Sequence, residues 1–348
     1  GLTLKLNGDG NITAGAYTDT LTIDAAAAET SNFSGMSVAS DLTNGALGLT
    51  ITGGTGVQNI TGSAATDFID GGAGADILIG GGSADTFSYA DKAEMTGDIS
   101  LDGGSGTDIL LFQTGGTGDT IIDTDLDSLT SIETITLDSN SVNSLTLGAN
   151  ADSSGVKTIN GGSDVDTIDL TASSFDNAVT ITGGDGVDQI TIGTSLAELK
   201  MGANVAATDE DVVNGFKTTD RITLDKSDYS LNGTATLDSA NTAIAGATYY
   251  EGGAGAMVTG TAYDVVVLST ASYATIDLAE AAVAARMTST TDGFFLYHDT
   301  GETNAYLVFD TSLAAAATGL TASMKITGVA DVAALGTLMS TSNFELVA

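Results

Sequence analysis

Six aspartates, Asp67, Asp76, Asp85, Asp108, Asp166 and Asp188, each hold the sixth place of a nine-residue segment that opens with small residues, mostly glycine. The segments are GSAATDFID (62–70), GGAGADILI (71–79), GGGSADTFS (80–88), GGSGTDILL (103–111), GGSDVDTID (161–169) and GGDGVDQIT (183–191). Carboxylates and loop carbonyls are oxygen donors, and a hard cation such as Ca2+ takes about six to eight of them. Glycine supplies the positive φ values of a tight loop and leaves its carbonyls accessible. The pattern points to cation ligation by the six aspartates, with carbonyls of Gly72, Gly74, Gly81, Gly104 and Gly106 completing the shells. Asp164 and Asp185 add carboxylates inside two loops, whereas the loop before Asp67, GSAAT, lacks two glycines.

The elements that must position these groups follow from the period. Four nonapeptides run without a gap over 53–88, the first of them GGTGVQNIT with Gln58 where the aspartate belongs. A fixed repeat of this length is the signature of a stacked architecture. The eighth place is apolar (Ile60, Ile69, Leu78, Phe87), and side-chain alternation along a strand turns it inward. Two nonapeptides then make one coil, with the cation sandwiched between successive loops. Residues 89–102 interrupt the register, and GGTGDTIID (115–123) carries its aspartate, Asp119, one place early. The loops at 161 and 183 predict a wider coil. Asp123, Asp125 and Asp127 have the 1-3-5 spacing of an EF-hand loop, but Ser128 stands where the turn needs glycine and Thr134 at the twelfth place. They read as a polar corner.

Composition narrows the function classes. The chain has 348 residues with 45 acidic and 9 basic side chains, a formal charge of −36. Phosphate binding relies on Lys and Arg, so nucleic acid is excluded as a partner. With 42% hydrophobic and only 16% charged residues, the chain is not an acidic disordered tail. There is no Cys, hence no disulfide and no thiolate metal site, and no apolar run predicts a membrane span. The abrupt start at Gly1, on a strand-like run, reads as a processed or truncated fragment.

The organisation expected is all-β. Residues 1–52, with Leu2, Leu4 and Leu6, then Leu21 and Ile23, then Leu47, Leu49 and Ile51, read as early coils without clean cation loops. Ala25–Ala28 reads equally as a helical turn or a bulge. Residues 53–203 form the repeat solenoid, 204–225 a capping junction, and 226–348 a small β-rich domain. In that domain 276–287 predicts a short helix, GFFLYHD (293–299) and NAYLVFD (304–310) a hairpin, 323–329 a strand, 331–339 a helix and 343–348 a last strand.

With these residues in view, the chain resembles the RTX family of secreted bacterial proteins, on the nonapeptides at 71, 80, 103, 161 and 183. DVVNGFKTTDRITLD (211–225) is similar to that family's junction after the repeats, departing from it at Gly215 and Thr223. The closing NFELVA is similar to the uncleaved C-terminal signal of type I secretion substrates. The Thr/Ala-rich stretch 131–162 is most similar to RTX-containing surface-layer proteins and large adhesins of Gram-negative bacteria. The resemblance implies a right-handed parallel β-roll or β-helix solenoid with Ca2+ as its cofactor. It also implies export to the cell surface of a Gram-negative bacterium and folding outside, where calcium is plentiful.

Enzyme chemistry has little support. His298 is the single histidine and sits in a strand-like run, there is no H-E-x-x-H, no Cys nucleophile and no G-x-S-x-G elbow. Acidic pairs leave a glycosidase open on residue types, but there is no Trp to stack on sugars. The function expected is that of an extracellular, calcium-dependent, self-assembling surface-layer or filament subunit. Its contacts would be made through 1–50 and 226–348, with cell-surface polysaccharide as a further partner and no membrane insertion. The alternative is the calcium-stiffened C-terminal stalk or secretion module of an adhesin or secreted enzyme.

Overall fold

The computed structural model describes residues 21–24, 30–32, 48–113, 118–137, 141–172, 174–201, 210–225, 249–254, 265–285, 293–310, 320 and 322–347. It is mostly β-sheet with few, short helices, and the chain divides into two compact units, Gly1–Asn160 and Gly161–Ala348. The expectations for Leu2, Leu4, Leu6, Ala25–Ala28 and the start of the 115–123 unit lie outside the described residues.

In the first unit, short parallel strands form two long stacks and a separate pair, Thr120–Ile121 beside Ser144–Thr146. One runs Leu21–Asp24, Leu49–Thr52, Phe68–Asp70, Thr86–Tyr89, Ile109–Phe112, Thr134–Thr136 and Thr158–Asn160. The other runs Thr30–Asn32, Asn59–Thr61, Ile77–Gly82, Ser100–Ser105 and Leu129–Thr130. Successive nonapeptides alternate between the stacks, so each strand pairs with the one two repeats away: Asn59 beside Ile77, Phe68 beside Thr86. The register sets every eighth-place residue above its equivalent. Ile60, Ile69, Leu78, Phe87 and Leu110 are all fully buried. Each such side chain contributes about 1.5–3 kcal/mol of hydrophobic stabilisation relative to exposure, and a one-residue slip would turn the whole row to solvent.

The break after Ser88 is a helical insertion. Asp91 caps a short helix, Lys92–Met95, by accepting the Glu94 N–H at 2.9 Å, and Met95 is buried beneath it. Beyond it the parallel pairing resumes, Thr86 with Ile109. The 123–127 acids are indeed a corner: Asp123 accepts the N–H groups of Gly148, Asn150 and Ala151, satisfying the start of helix Ala149–Ser154.

In the second unit, one stack runs Val179–Thr182, Ala197–Met201, Arg221–Asp225 and Phe344–Val347. Another runs Thr167–Asp169, Gln189–Thr191, Asp211–Asn214 and Ala322–Thr327, all parallel. From Ala322–Thr327 the sheet continues through Asn304–Asp310, Gly293–Asp299, Val265–Tyr273 and Tyr249–Gly252. The predicted hairpin is present as an antiparallel pair, Phe294 opposite Phe309. Helices Ile276–Ala284 and Val332–Leu338 start on Thr275 and Asp331 caps, and Ala279 and Val283 pack with Val266, Leu268, Phe295 and Val308.

Residues 211–225 differ from the expected cap. Their two strands continue the stacks, and the covering is done by Ala322–Thr327 and Phe344–Val347 from the end of the chain. A strand edge left bare would template pairing with another chain; here the same chain occupies it.

Candidate metal centre

Sixth and eighth places share a strand face, so the aspartates turn inward with the apolar row rather than outward. Asp76, Asp85, Asp108, Asp166 and Asp188 have no exposed surface, and Asp67 is 1% exposed. The carboxylates of Asp67, Asp76, Asp85, Asp108 and Asp188 reach back one strand along their stacks. The Oδ1 atoms of Asp67, Asp76, Asp85 and Asp108 accept the backbone N–H of Leu49 (2.8 Å), Gln58 (2.6 Å), Asp67 (2.7 Å) and Asp85 (2.7 Å). In the second unit Asp188 accepts from Asp166 at 2.8 Å. These are ladders of acids, each bonded to the main chain of the last.

The second carboxylate oxygen divides the loops into two kinds. In the loops of Asp67 and Asp166 it accepts the N–H of the second loop residue, Ser63 (2.5 Å) and Gly162 (2.7 Å). In the loops of Asp76, Asp85 and Asp108 it is buried without a hydrogen-bond partner. The cause is the second glycine. Gly72, Gly81 and Gly104 have φ of 73°, 114° and 95°, a conformation only glycine takes readily. The N–H groups of Gly72 and Gly104 bond instead to Asp70 (2.9 Å) and Asp102 (3.1 Å). An orphaned buried carboxylate oxygen is costly unless something supplies positive charge.

The electrostatics agree. Burial pushes Asp85 up to about 7, aided by the charges of Asp67 and Asp108 and opposed by the Asp67 N–H. Burial also raises Asp76 and Asp108, the latter with help from Glu133 and Asp102. Without a counter-ion, the fold resists ionising these acids.

The glycines let the loops stack. A Cβ on Gly72 would collide with the Gly54 carbonyl, one on Gly74 with that of Gly56, one on Gly104 with that of Gly81 and one on Gly106 with that of Ser83. Loop carbonyls therefore point along the stack into the next loop, among them those of Gly74, which faces Gly97, and Gly81. Asp164 is exposed, and Asp185 is partly buried and donates its N–H to Gly162.

Sequence spacing missed several members of the ladders. Asp98 accepts the Asp76 N–H (3.0 Å), Glu133 that of Asp108 (2.8 Å), Asp211 that of Asp188 (3.0 Å) and Asp220 that of Ala197 (3.1 Å). Glu133, Asp211 and Asp220 each stand two before a buried apolar residue (Ile135, Val213, Ile222), the half of the motif that survives without glycines. Among the described residues no three acidic or histidine side chains converge as a finished cage. His298 is buried, with its ring nitrogens 3.0 Å from the Ser272 hydroxyl and 3.0 Å from the Val329 carbonyl; that carbonyl makes Nε2 the donor.

The donor set offers oxygen alone, from carboxylates and glycine carbonyls, and suits a hard divalent cation. The chain matches no protein-family model, no curated protein and no solved structure.

Proposed function

We propose that this chain is an extracellular structural protein, a surface-layer or filament subunit whose repeat region is a calcium-dependent β-roll solenoid. The observation that carries the reading is the set of buried, partnerless carboxylate oxygens of Asp76, Asp85 and Asp108, set against stacked glycine loops. Calcium fits them: its charge offsets mutual repulsion along the ladder, and loop carbonyls supply neutral ligands. Because such a site is incomplete in an unfolded chain, binding energy becomes folding energy. A charge of −36 keeps calcium-free copies apart, and bound ions lower that barrier to association.

The adhesin-stalk alternative has one observation in its favour. The strands Asp211–Asn214 and Arg221–Asp225 are covered by the chain's own later strands, so that edge does not await a second copy. Circular dichroism and sedimentation across a calcium titration, with negative-stain imaging of the end point, separate the readings. Calcium-dependent gain of β signal followed by sheets or fibres supports the subunit; the same gain in a strictly monomeric protein supports the stalk. Full β content in chelator, unchanged by calcium, overturns both.

A further inference from the structure

Asp220 is as deeply buried as Asp76, Asp85 and Asp108, yet both of its carboxylate oxygens are bonded. Oδ1 accepts the Ala197 N–H (3.1 Å), the same one-strand reach as in the other ladders, and Oδ2 accepts the Lys217 N–H (2.8 Å). Carbonyls around its loop are engaged as well. The Lys217 ammonium crosses to the preceding rung and donates to the Gly193 carbonyl. From the following rung, Nδ2 of buried Asn343 donates to the carbonyls of Thr218 (3.1 Å) and Asp220 (2.8 Å). Asn343 is held in place by its Oδ1, which accepts the Ser340 N–H and the Ser340 hydroxyl, each at 2.9 Å. Charge divides the loops in the same way. Burial raises both Asp85 and Asp220, but the charges of Asp67 and Asp108 push Asp85 further up, whereas the N–H groups of Ala197 and Lys217 and the positive charge of Lys217 draw Asp220 back down.

We propose that Lys217 and Asn343 stand in for a metal ion at the 215–220 loop, which is therefore complete without calcium and takes none. The proposal rests on the calcium reading above and sets its boundary. An ammonium brings one positive charge and three donors, and a carboxamide brings two more. Between them they meet loop carbonyls of the kind a hard cation would otherwise ligate. The chain then holds two kinds of rung. At Asp76, Asp85 and Asp108 the orphaned oxygens call for an ion from outside. At Asp220 the cation is covalently part of the chain. In low calcium, residues 211–225 and 343–347 keep their pairing while residues 71–111 open.

Amide hydrogen exchange of the full chain, read peptide by peptide in chelator and in saturating calcium, reports the opening of each rung separately. In wild type, peptides from 211–225 are expected to exchange at the same rate in both conditions, while those from 71–111 slow by about tenfold or more when calcium is added. Asn343→Asp keeps the Ser340 contacts and removes only the Nδ2 donor, leaving the Thr218 and Asp220 carbonyls against a carboxylate. Its exchange over 211–225 is expected to quicken by about tenfold or more in chelator, as buried acceptors lose their donor. Calcium should return it to the wild-type rate, because the variant offers an ion oxygen ligands where the amide stood. Lys217→Met should quicken exchange over 211–225 in chelator likewise, and Lys217→Arg, which keeps charge and donors, should match wild type. A wild-type 211–225 that gains protection with calcium in step with 71–111 overturns the proposal and leaves the calcium reading standing. So does an Asn343→Asp or Lys217→Met chain that exchanges like wild type in chelator. A wild-type chain whose exchange responds to calcium nowhere removes the broader reading, and this one with it.

Discussion

Asp85→Asn should raise stability without calcium and lose that advantage with it. Asp85 is fully buried, its Oδ2 lacks a partner, and burial with its acidic neighbours pushes it up to about 7, against about 4 in an unfolded chain. Between those values the folded chain keeps a proton that the unfolded chain has lost, so in chelator stability falls as pH rises from about 4 to about 7. A shift of about three pKa units corresponds to at most about 4 kcal/mol at pH 8, and relaxation around the ionised group brings this to about 2 kcal/mol. Asparagine keeps the Oδ1 acceptor for the Asp67 N–H and replaces the orphan oxygen by a donor. The Gly103 carbonyl, which crowds Gly80 together with that oxygen, is at hand to receive it. In chelator at pH 8 the variant is therefore expected to be more stable than wild type by about 2 kcal/mol. At about 10 mM calcium, a site with Kd of about 10⁻⁴ to 10⁻³ M adds about 1.4–2.7 kcal/mol to wild type alone, which cancels that advantage. Urea unfolding of both proteins, in chelator and in calcium, measures the two differences. An Asp85→Asn effect of the same sign and size in both conditions would refute the reasoning.

Asp67→Asn should behave differently, because the Asp67 carboxylate already satisfies the Ser63 N–H. A destabilisation of about 1–3 kcal/mol is expected in chelator and calcium alike, with the calcium count by calorimetry unchanged. Gly72→Ala combines a φ of 73° with a collision against the Gly54 carbonyl and should cost several kcal/mol or prevent folding. Gly328→Ala, at φ 77° but in open space, should cost only about 1 kcal/mol in the same thermal-unfolding assay. Asp98, pushed up to about 6 chiefly by burial, adds to the Asp85 effect, so the melting temperature in chelator should fall as pH rises from about 4 to about 7. Saturating calcium should flatten that profile.

The sequence alone determined the strands and their repeat. A nonapeptide with glycines at the front and an apolar residue at the eighth place leaves one economical arrangement, short strands joined by tight loops. The buried row Ile60, Ile69, Leu78, Phe87 follows from side-chain alternation. The hairpin at 293–310 and the helices after Thr275 and Asp331 were legible for the same reason: alternation and capping are local. The glycine pattern also marked the aspartates as oxygen donors held close to loop carbonyls.

Tertiary structure decided what local pattern cannot carry. Which strand lies beside Arg221–Asp225 depends on a segment more than a hundred residues later, and no periodicity links them. Asp98 joined the ladder despite a broken register, because the helical insertion restored its height above Asp76. The division between satisfied and orphaned carboxylates turned on the backbone angle of one residue per loop. GGAGAD and GGSDVD both open with two glycines, yet Gly72 is left-handed and gives its N–H to Asp70, while Gly162 gives its own to Asp166. Sequence supplies the glycine that permits both conformations, and the stacked neighbours choose between them.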